Sequence, residues 1–173
     1  MTKVVSMAVV IGLLACGSAV DSNPGGVSGP PCTFTLSGGT TGSYGCTTRL
    51  AYFTDSNETG TVMLGYGYTG QTNPAISASF NFPGPPATGT LTDASPDGGV
   101  TTRILVNSGA ASWTATESAT GATVGTYTLT VTKASITIVN DQDVYGVSGT
   151  LDATLPPVAQ TSATGDVTLH ASF

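Results

Sequence analysis

Apolar residues alternate with small or polar ones along most of the chain after residue 31. The clearest apolar series are 32/34/36, 62/64/66, 76/78/80/82, 127/129/131, 151/153/155 and 167/169/171/173. A period of two predicts strands that bury one face. Turn residues (Gly, Pro, Asn, Asp) separate the series, and no segment after residue 31 sustains a helical period. We therefore predict an all-β fold over residues 32–173, an antiparallel β-sandwich of about ten strands with a closed β-barrel as the alternative. Within it we expect one strand over residues 43–53, separate strands at 127–131 and around Ile136 and Ile138, and a last strand that stays paired up to Phe173.

The first 31 residues have a different pattern. An apolar run at residues 4–14 follows a single charge at Lys3, and it is shorter than the roughly 20 residues that span a bilayer. This is the arrangement of a secretory signal peptide, which we place at residues 1–15. Residues 16–31 are rich in Gly and Pro, which indicates a flexible tether. An irregular first loop lying on the domain is the alternative.

The four residues Leu13-Leu14-Ala15-Cys16 resemble the lipobox of bacterial lipoproteins. The resemblance implies cleavage before Cys16, a diacylglycerol on its thiol and acylation of the new amine. An ordinary secretory leader with Cys16 left as a free thiol is the alternative. The segments GTLDATLPP and GDVTLHASF are also similar to small bacterial lipoproteins, a likeness that implies no particular activity.

Charge bears on what the mature chain could bind. Residues 16–173 carry three bases against ten acids, a net charge of −7. So few scattered bases argue against nucleic acid as a partner, and anionic headgroups would repel the domain. Membrane attachment is therefore expected through the lipid. Residue 17 is Gly rather than the Asp that retains enteric lipoproteins at the inner membrane, so by that analogy we expect the outer membrane, with its periplasmic or surface side left open.

The two remaining cysteines are expected to form a disulfide. Folding the first hairpin about Gly39 places Cys32 opposite Cys46 and Phe34 opposite Tyr44. Opposed positions on antiparallel strands have Cα atoms about 4.5–5.5 Å apart, which a disulfide accepts. Export also favours the oxidised state.

No catalytic site is predicted. The single His170 lies on the polar side of the last predicted strand, beside Asp166, Thr168 and Ser172, and no G-x-S-x-G segment presents a serine to it. Most of the carboxylates fall in turns, where Asp commonly bonds to backbone amides. A non-catalytic domain is therefore expected, with a hydrolase as the alternative.

Two acidic turns are candidates for a structural calcium ion. Asp55 and Asn57 open one turn in a D-x-N pattern, and Asp141 and Asp143 flank Gln142 in the other. Solvated turns without a metal are the simpler interpretation of both.

Three aromatic residues are candidates for contacting a sugar ring: Tyr66, Tyr68 and Trp113. All three share the parity of neighbouring apolar residues, which favours core packing. The sequence thus predicts a lipid-anchored envelope protein, a non-catalytic structural or binding module for protein or glycan. A calcium-stabilised carbohydrate-binding domain is the alternative.

Overall fold

The computed structural model describes residues 31–67, 72–93, 100–119, 122–139 and 142–173. Cys16, the predicted signal peptide and residues 16–30 of the predicted tether lie outside these ranges. The strands are β1 (Thr33–Gly38), β2 (Gly42–Gly45), β3 (Thr48–Thr54), β4 (Thr59–Tyr66), β5 (Ala75–Pro83), β6 (Gly89–Thr92), β7 (Thr101–Ser108), β8 (Ala111–Glu117), β9 (Thr123–Val124), β10 (Thr126–Val139), β11 (Gln142–Leu155) and β12 (Val167–Ser172). No helix that could cross a bilayer occurs in these ranges.

The strands form an antiparallel sheet that doubles over into two layers, which confirms the predicted all-β class. The hydrogen-bonded order is β2-β1-β12-β11-β3-β4-β5-β7-β8-β9, with β10 beside β11 and β6 beside β10. The first layer contains β6, β12, β1, β2 and the parts of β10 and β11 that lie between β6 and β12. The second layer continues from the start of β11 through β3 to β9.

The long hairpin of β10 and β11 joins the layers. Val144 near the start of β11 pairs with Tyr52 of β3, whereas the later residues of β11 pair with β12. A register shift between Val131 and Lys133 marks a bulge in β10, the usual device by which a strand changes sheets. Sequence patterning indicated two strands here; the structure has one bulged strand.

The closed-barrel alternative is wrong for the described residues. Beyond β8 the ladder ends at the two-residue strand β9, so the sheet stays open. The chain after β11 touches the edge of β8 through the backbone bond from Thr114 N–H to the Pro156 carbonyl at 3.1 Å and an isolated bridge between Trp113 and Pro157. The start of β11 therefore pairs with β3 at one edge of the second layer, and the chain that follows β11 contacts β8 at the other edge.

The core lies between the layers and is filled by the alternating apolar residues. The largest fully buried side chains are Phe34, Phe80, Phe173, Leu64, Ile76, Ile104, Leu129, Leu151, Leu155, Leu169, Val62 and Val106. The prediction that the chain is paired up to its end is also confirmed. Phe173 is 2% exposed and exchanges backbone hydrogen bonds with Gly149 at 2.7 and 3.0 Å.

The disulfide between Cys32 and Cys46 is present, with a Cα–Cα distance of 5.2 Å. Phe34 pairs with Tyr44 as the hairpin register predicts. The expectation of one continuous strand over residues 43–53 is wrong, because the chain leaves the first layer after β2 and enters the second at β3. The disulfide thus lies where the chain passes between layers, close to the start of β3.

Candidate functional site

A cleft opens at the end of the second layer, where β3 turns into β4. The turn at residues 55–58 has long backbone contacts, 3.4 Å from Asn57 N–H to the Thr54 carbonyl and 3.4 Å from Glu58 N–H to the Asp55 carbonyl. The Thr59 hydroxyl donates to the Asn57 carbonyl at 3.1 Å. Asp, Ser and Asn favour turns because their short polar side chains satisfy nearby backbone groups. The sequence therefore explains a tight loop at this place.

Glu58 holds an unusual backbone conformation in this turn. Its φ is 52°, in the left-handed region that non-glycine residues adopt at a cost of about 1–2 kcal/mol. The Glu58 carbonyl accepts a hydrogen bond from Gly84 N–H at 2.9 Å, which ties the turn to the chain after β5. The conformation keeps an exposed carboxylate at the edge of the cleft.

The cleft has a volume of about 560 Å³. It is lined by Phe53, Asp55, Asn57, Glu58, Thr59, Phe82, Pro83 and Gly84. The two phenyl rings come from inward positions at the ends of β3 and β5, on either side of Gly60. A Cβ atom at Gly60 would lie 2.6 Å from the Phe82 ring and 2.3 Å from the Gly84 carbonyl oxygen, so the ring position requires a glycine there.

The cleft is negatively charged. Asp55 and Glu58 line it, and its lining contains no Lys, Arg or His. The single histidine, His170, lies on the other layer, with its Nδ1 2.7 Å from Oδ1 of Asp152. Partial burial, and then the negative charges of Asp143 and Asp55, raise the pKa of the Tyr145 phenol above its ordinary value.

Of the second predicted calcium turn, Asp143 lies at this end of the molecule. Asp143 adjoins Val144, which pairs with Tyr52 of β3, so it lies near Phe53 and the turn that carries Asp55 and Asn57. Asp141 lies outside the described residues. Within the described ranges, no three His, Cys, Asp or Glu side chains come together as a metal-binding group. Calcium binding stays a prediction.

The aromatic candidates for sugar binding separate into three cases. Trp113 is 2% exposed and its indole N–H donates to the Gly165 carbonyl at 2.8 Å, so it packs in the core and the platform interpretation is wrong for it. Tyr66 is half-buried, and its ring lies 5.0 Å from that of Tyr44 between centroids. Tyr68 lies outside the described residues.

His170 is paired with a residue that sequence reasoning missed. Its Nδ1 lies 2.7 Å from Oδ1 of Asp152, directly opposite on β11, and Thr35 lies opposite on β1. The side chains of His170 and Asp152 are 52% and 62% exposed. Alternate positions on these strands are mostly Thr and Ser, so the pair stands on an open polar face. The register of β11 against β12 was the only signal that could have predicted the contact between His170 and Asp152.

A second missed pair lies in the core. The Tyr127 hydroxyl donates to the Glu117 carboxylate, and both residues are buried, 3% and 7% exposed. Tyr127 also packs against Phe80 with ring centroids 5.6 Å apart. Burial, and then the bond to Glu117, raises the pKa of the Tyr127 phenol far above its ordinary value. The parity of Glu117 with Trp113 and Ala115 was the available signal that this carboxylate points inward.

In comparisons with known proteins, no family model, no curated protein and no solved structure matches this chain. The class that the fold defines is an all-β, disulfide-stapled domain. What the domain does has to be argued from its own surface.

Proposed function

We propose that this chain is an exported, lipid-anchored and non-catalytic binding module, which presents the acidic aromatic cleft away from its anchor. The observation that carries the proposal is the placement of the disulfide and the cleft at opposite ends of β3. Cys46 precedes this strand by two residues, and Asp55 follows it directly. A strand of seven residues spans about 22–24 Å. The disulfide, which follows the predicted tether in the chain, and the cleft are separated by about that length.

The cysteines support the anchoring part of the proposal. The chain has three cysteines, and Cys32 and Cys46 are bonded to each other. Cys16 is therefore the remaining thiol, at the position that the lipobox resemblance assigns to the diacylglycerol. Two or three acyl chains anchor a protein stably, whereas a single chain binds marginally.

The proposal contains no catalytic step. The single histidine of the chain contacts Asp152 on an exposed sheet face, and neither residue lines the cleft. A nucleophile–histidine–carboxylate site also needs aimed donors for an oxyanion. The arrangement around His170 is accounted for by a cross-strand pair between charged or polar neighbours.

Intact-mass analysis of the protein purified from membranes tests the anchoring. We expect a mature chain that begins at Cys16 and carries the mass of a diacylglyceryl group, with or without a further acyl chain. Cys16→Ser is the matched variant. It should carry no acyl mass and should no longer be found in the membrane fraction. A mature chain that begins elsewhere, or that lacks acyl mass at Cys16, would overturn the proposal.

A calcium-stabilised carbohydrate-binding domain is a second candidate. It is favoured by the convergence of Asp55 and Asp143, both of which act on the Tyr145 phenol. If calcium binds there, adding it to EDTA-treated protein should raise the Tm, and Asp143→Asn should remove the rise. An unchanged Tm would dismiss this candidate. A glycan array would then test the carbohydrate half of the idea.

A further inference from the structure

We propose that the cleft beside the β3–β4 turn binds an organic cation: an amine, guanidinium or quaternary ammonium group. The inference rests on the proposed binding function and names the ligand class of that same site. Its basis is the combination of an aromatic-walled cavity with carboxylates at its edge.

The cavity has the size and walls of a small-molecule site. Its volume of about 560 Å³ lies within the roughly 300–1,000 Å³ that is typical of ligand pockets. Phe53 and Phe82 are half-buried, so part of each phenyl ring stays in contact with water. A phenyl ring has no hydrogen-bonding group, and its remaining favourable contacts are with apolar groups and with cations over its face.

Charge decides between those two kinds of ligand. Asp55 and Glu58 are exposed members of the lining, and no base shares it. Their negative potential disfavours anions and raises the local concentration of cations. A neutral apolar group would gain from the rings but nothing from the carboxylates. A cation with a carbon skeleton gains from both.

A hard metal ion fits the cavity less well than an organic cation. Calcium takes 6–8 oxygen ligands. In the described residues, no three His, Cys, Asp or Glu side chains lie close enough together to hold a metal ion. The two phenyl rings supply no oxygen. An ammonium or guanidinium group needs fewer anionic partners, since its methyl or methylene groups can lie against the rings.

The position of Glu58 adds support from a different direction. Glycine or asparagine would adopt its left-handed backbone at lower cost. The backbone of the turn could be formed by glycine equally well, so a glutamate at this place adds only its side chain. That side chain lines the cavity.

Calorimetric titration of the mature protein tests the proposal. Protein that is purified from membranes is kept in a maltoside detergent for the titration. The probes are choline, arginine ethyl ester, 3,3-dimethylbutanol as the neutral isostere of choline, and calcium chloride. We expect a cation to bind and the neutral isostere not to bind at the same concentration. Choline and arginine ethyl ester distinguish a small quaternary ammonium ligand from a peptide side chain.

Amide NMR spectra locate the binding. We expect the largest shifts at residues 54–60 and 82–84. Glu58→Gln and Phe82→Leu should each weaken the binding by about three-fold or more. Asp166→Asn makes the same change in net charge at an exposed site on the other layer and should leave the affinity unchanged.

Each other outcome overturns the ligand assignment. Equal binding of choline and its isostere would make the cleft an apolar site, and binding of calcium alone would make it a metal site. No binding by any probe would leave the cleft without a ligand of this class. None of these results changes the mass of the anchored protein, so the anchoring proposal is judged separately.

Discussion

Among the described residues, two assemblies of carboxylates and aromatic rings differ in what surrounds the charge. Between the layers, the Glu117 carboxylate accepts a hydrogen bond from the Tyr127 hydroxyl, and both groups are buried. At the end of β3, Asp55 and Glu58 line an open cleft with Phe53 and Phe82, whose rings have no donor to offer.

The difference assigns a role to each place. A buried carboxylate is tolerated when a partner satisfies it, and the Glu117–Tyr127 bond then joins β8 to β10 across the core. Carboxylates that face water beside half-buried rings add little to folding, and they remain available to a partner from outside. The core pair is therefore expected to govern stability, and the cleft to govern binding.

The largest expected effect follows from breaking the core pair. Glu117→Ala leaves the Tyr127 hydroxyl buried without its acceptor, which should lower the free energy of unfolding by about 1–3 kcal/mol. The Tm should fall by about 2–4 °C for each kcal/mol. Glu117→Gln is the matched control, because its amide oxygen can still accept the bond. Thermal unfolding of both variants checks the prediction, and equal losses would contradict it.

The core pair should also make stability depend on alkaline pH. The pKa of Tyr127 is raised above its ordinary value of 10.0 by burial and by the bond to Glu117, so the folded protein keeps the phenol proton that the unfolded chain releases. The contribution is fully present below pH 10 and is lost as the pH rises toward the folded-state pKa. The expected slope is about 1.4 kcal/mol per pH unit. Denaturant unfolding between pH 9 and 11 should show it.

Tyr127→Phe isolates this effect from the other tyrosines. The variant lacks the titrating group, so its stability should decline less steeply above pH 10 than that of the unchanged protein. It also starts from a lower stability, because Glu117 loses its donor. Parallel pH profiles would show that Tyr127 does not carry the dependence.

Sequence patterning predicted the parts of the fold in which each strand keeps one buried face. The alternation in β1 and β12, and the opposition of Phe34 to Tyr44, are found as expected. The break between β2 and β3 was missed because the alternation continues through Cys46 while the chain changes layers. The bulge in β10 was missed because one inserted residue changes the phase of the apolar alternation. In the sequence, such a change looks the same as a turn between two strands.

The cleft was predictable only in part. Asp55 and Asn57 were noticed as polar turn residues, but Phe53 and Phe82 have the pattern of core residues. Alternation identifies an inward position and does not show whether that position lies in the middle of a strand or at its open end. The proximity of Asp143 to Asp55 depends on the pairing of β11 with β3, which joins strands far apart in the chain.

A smaller expected effect concerns the conformation of Glu58. Glu58→Gly relieves the left-handed backbone, a gain of about 1–2 kcal/mol, and gives up about 0.4–1 kcal/mol through the freer unfolded chain. The variant should therefore be as stable as the unchanged protein or more stable, by up to about 1.6 kcal/mol, and bind an organic cation more weakly. Glu58→Gln keeps the strain and removes the charge, so it should lose affinity without gaining stability. A Glu58→Gly variant with unchanged affinity would show that this carboxylate serves the turn alone.

The smallest expected change in stability is at Asp55, which is exposed in the turn. Asp55→Asn should alter the free energy of unfolding by less than about 0.5 kcal/mol, because it breaks neither a buried contact nor an ion pair. It should still change the electrostatics of the cleft. Removing one of the two charges that raise the Tyr145 pKa should move that pKa toward its ordinary value of 10.0, which ¹³C NMR of the tyrosine ring can follow.

Asp166→Asn is the matched variant for this measurement as well, since it should leave the Tyr145 pKa where it is. A shift with Asp55→Asn alone, at unchanged stability, would mean that the charge at the cleft acts on its surroundings without contributing to the fold. A loss of stability comparable to that of Glu117→Ala would instead make the turn a structural element like the core pair. The distinction between the two carboxylate–aromatic assemblies would then disappear.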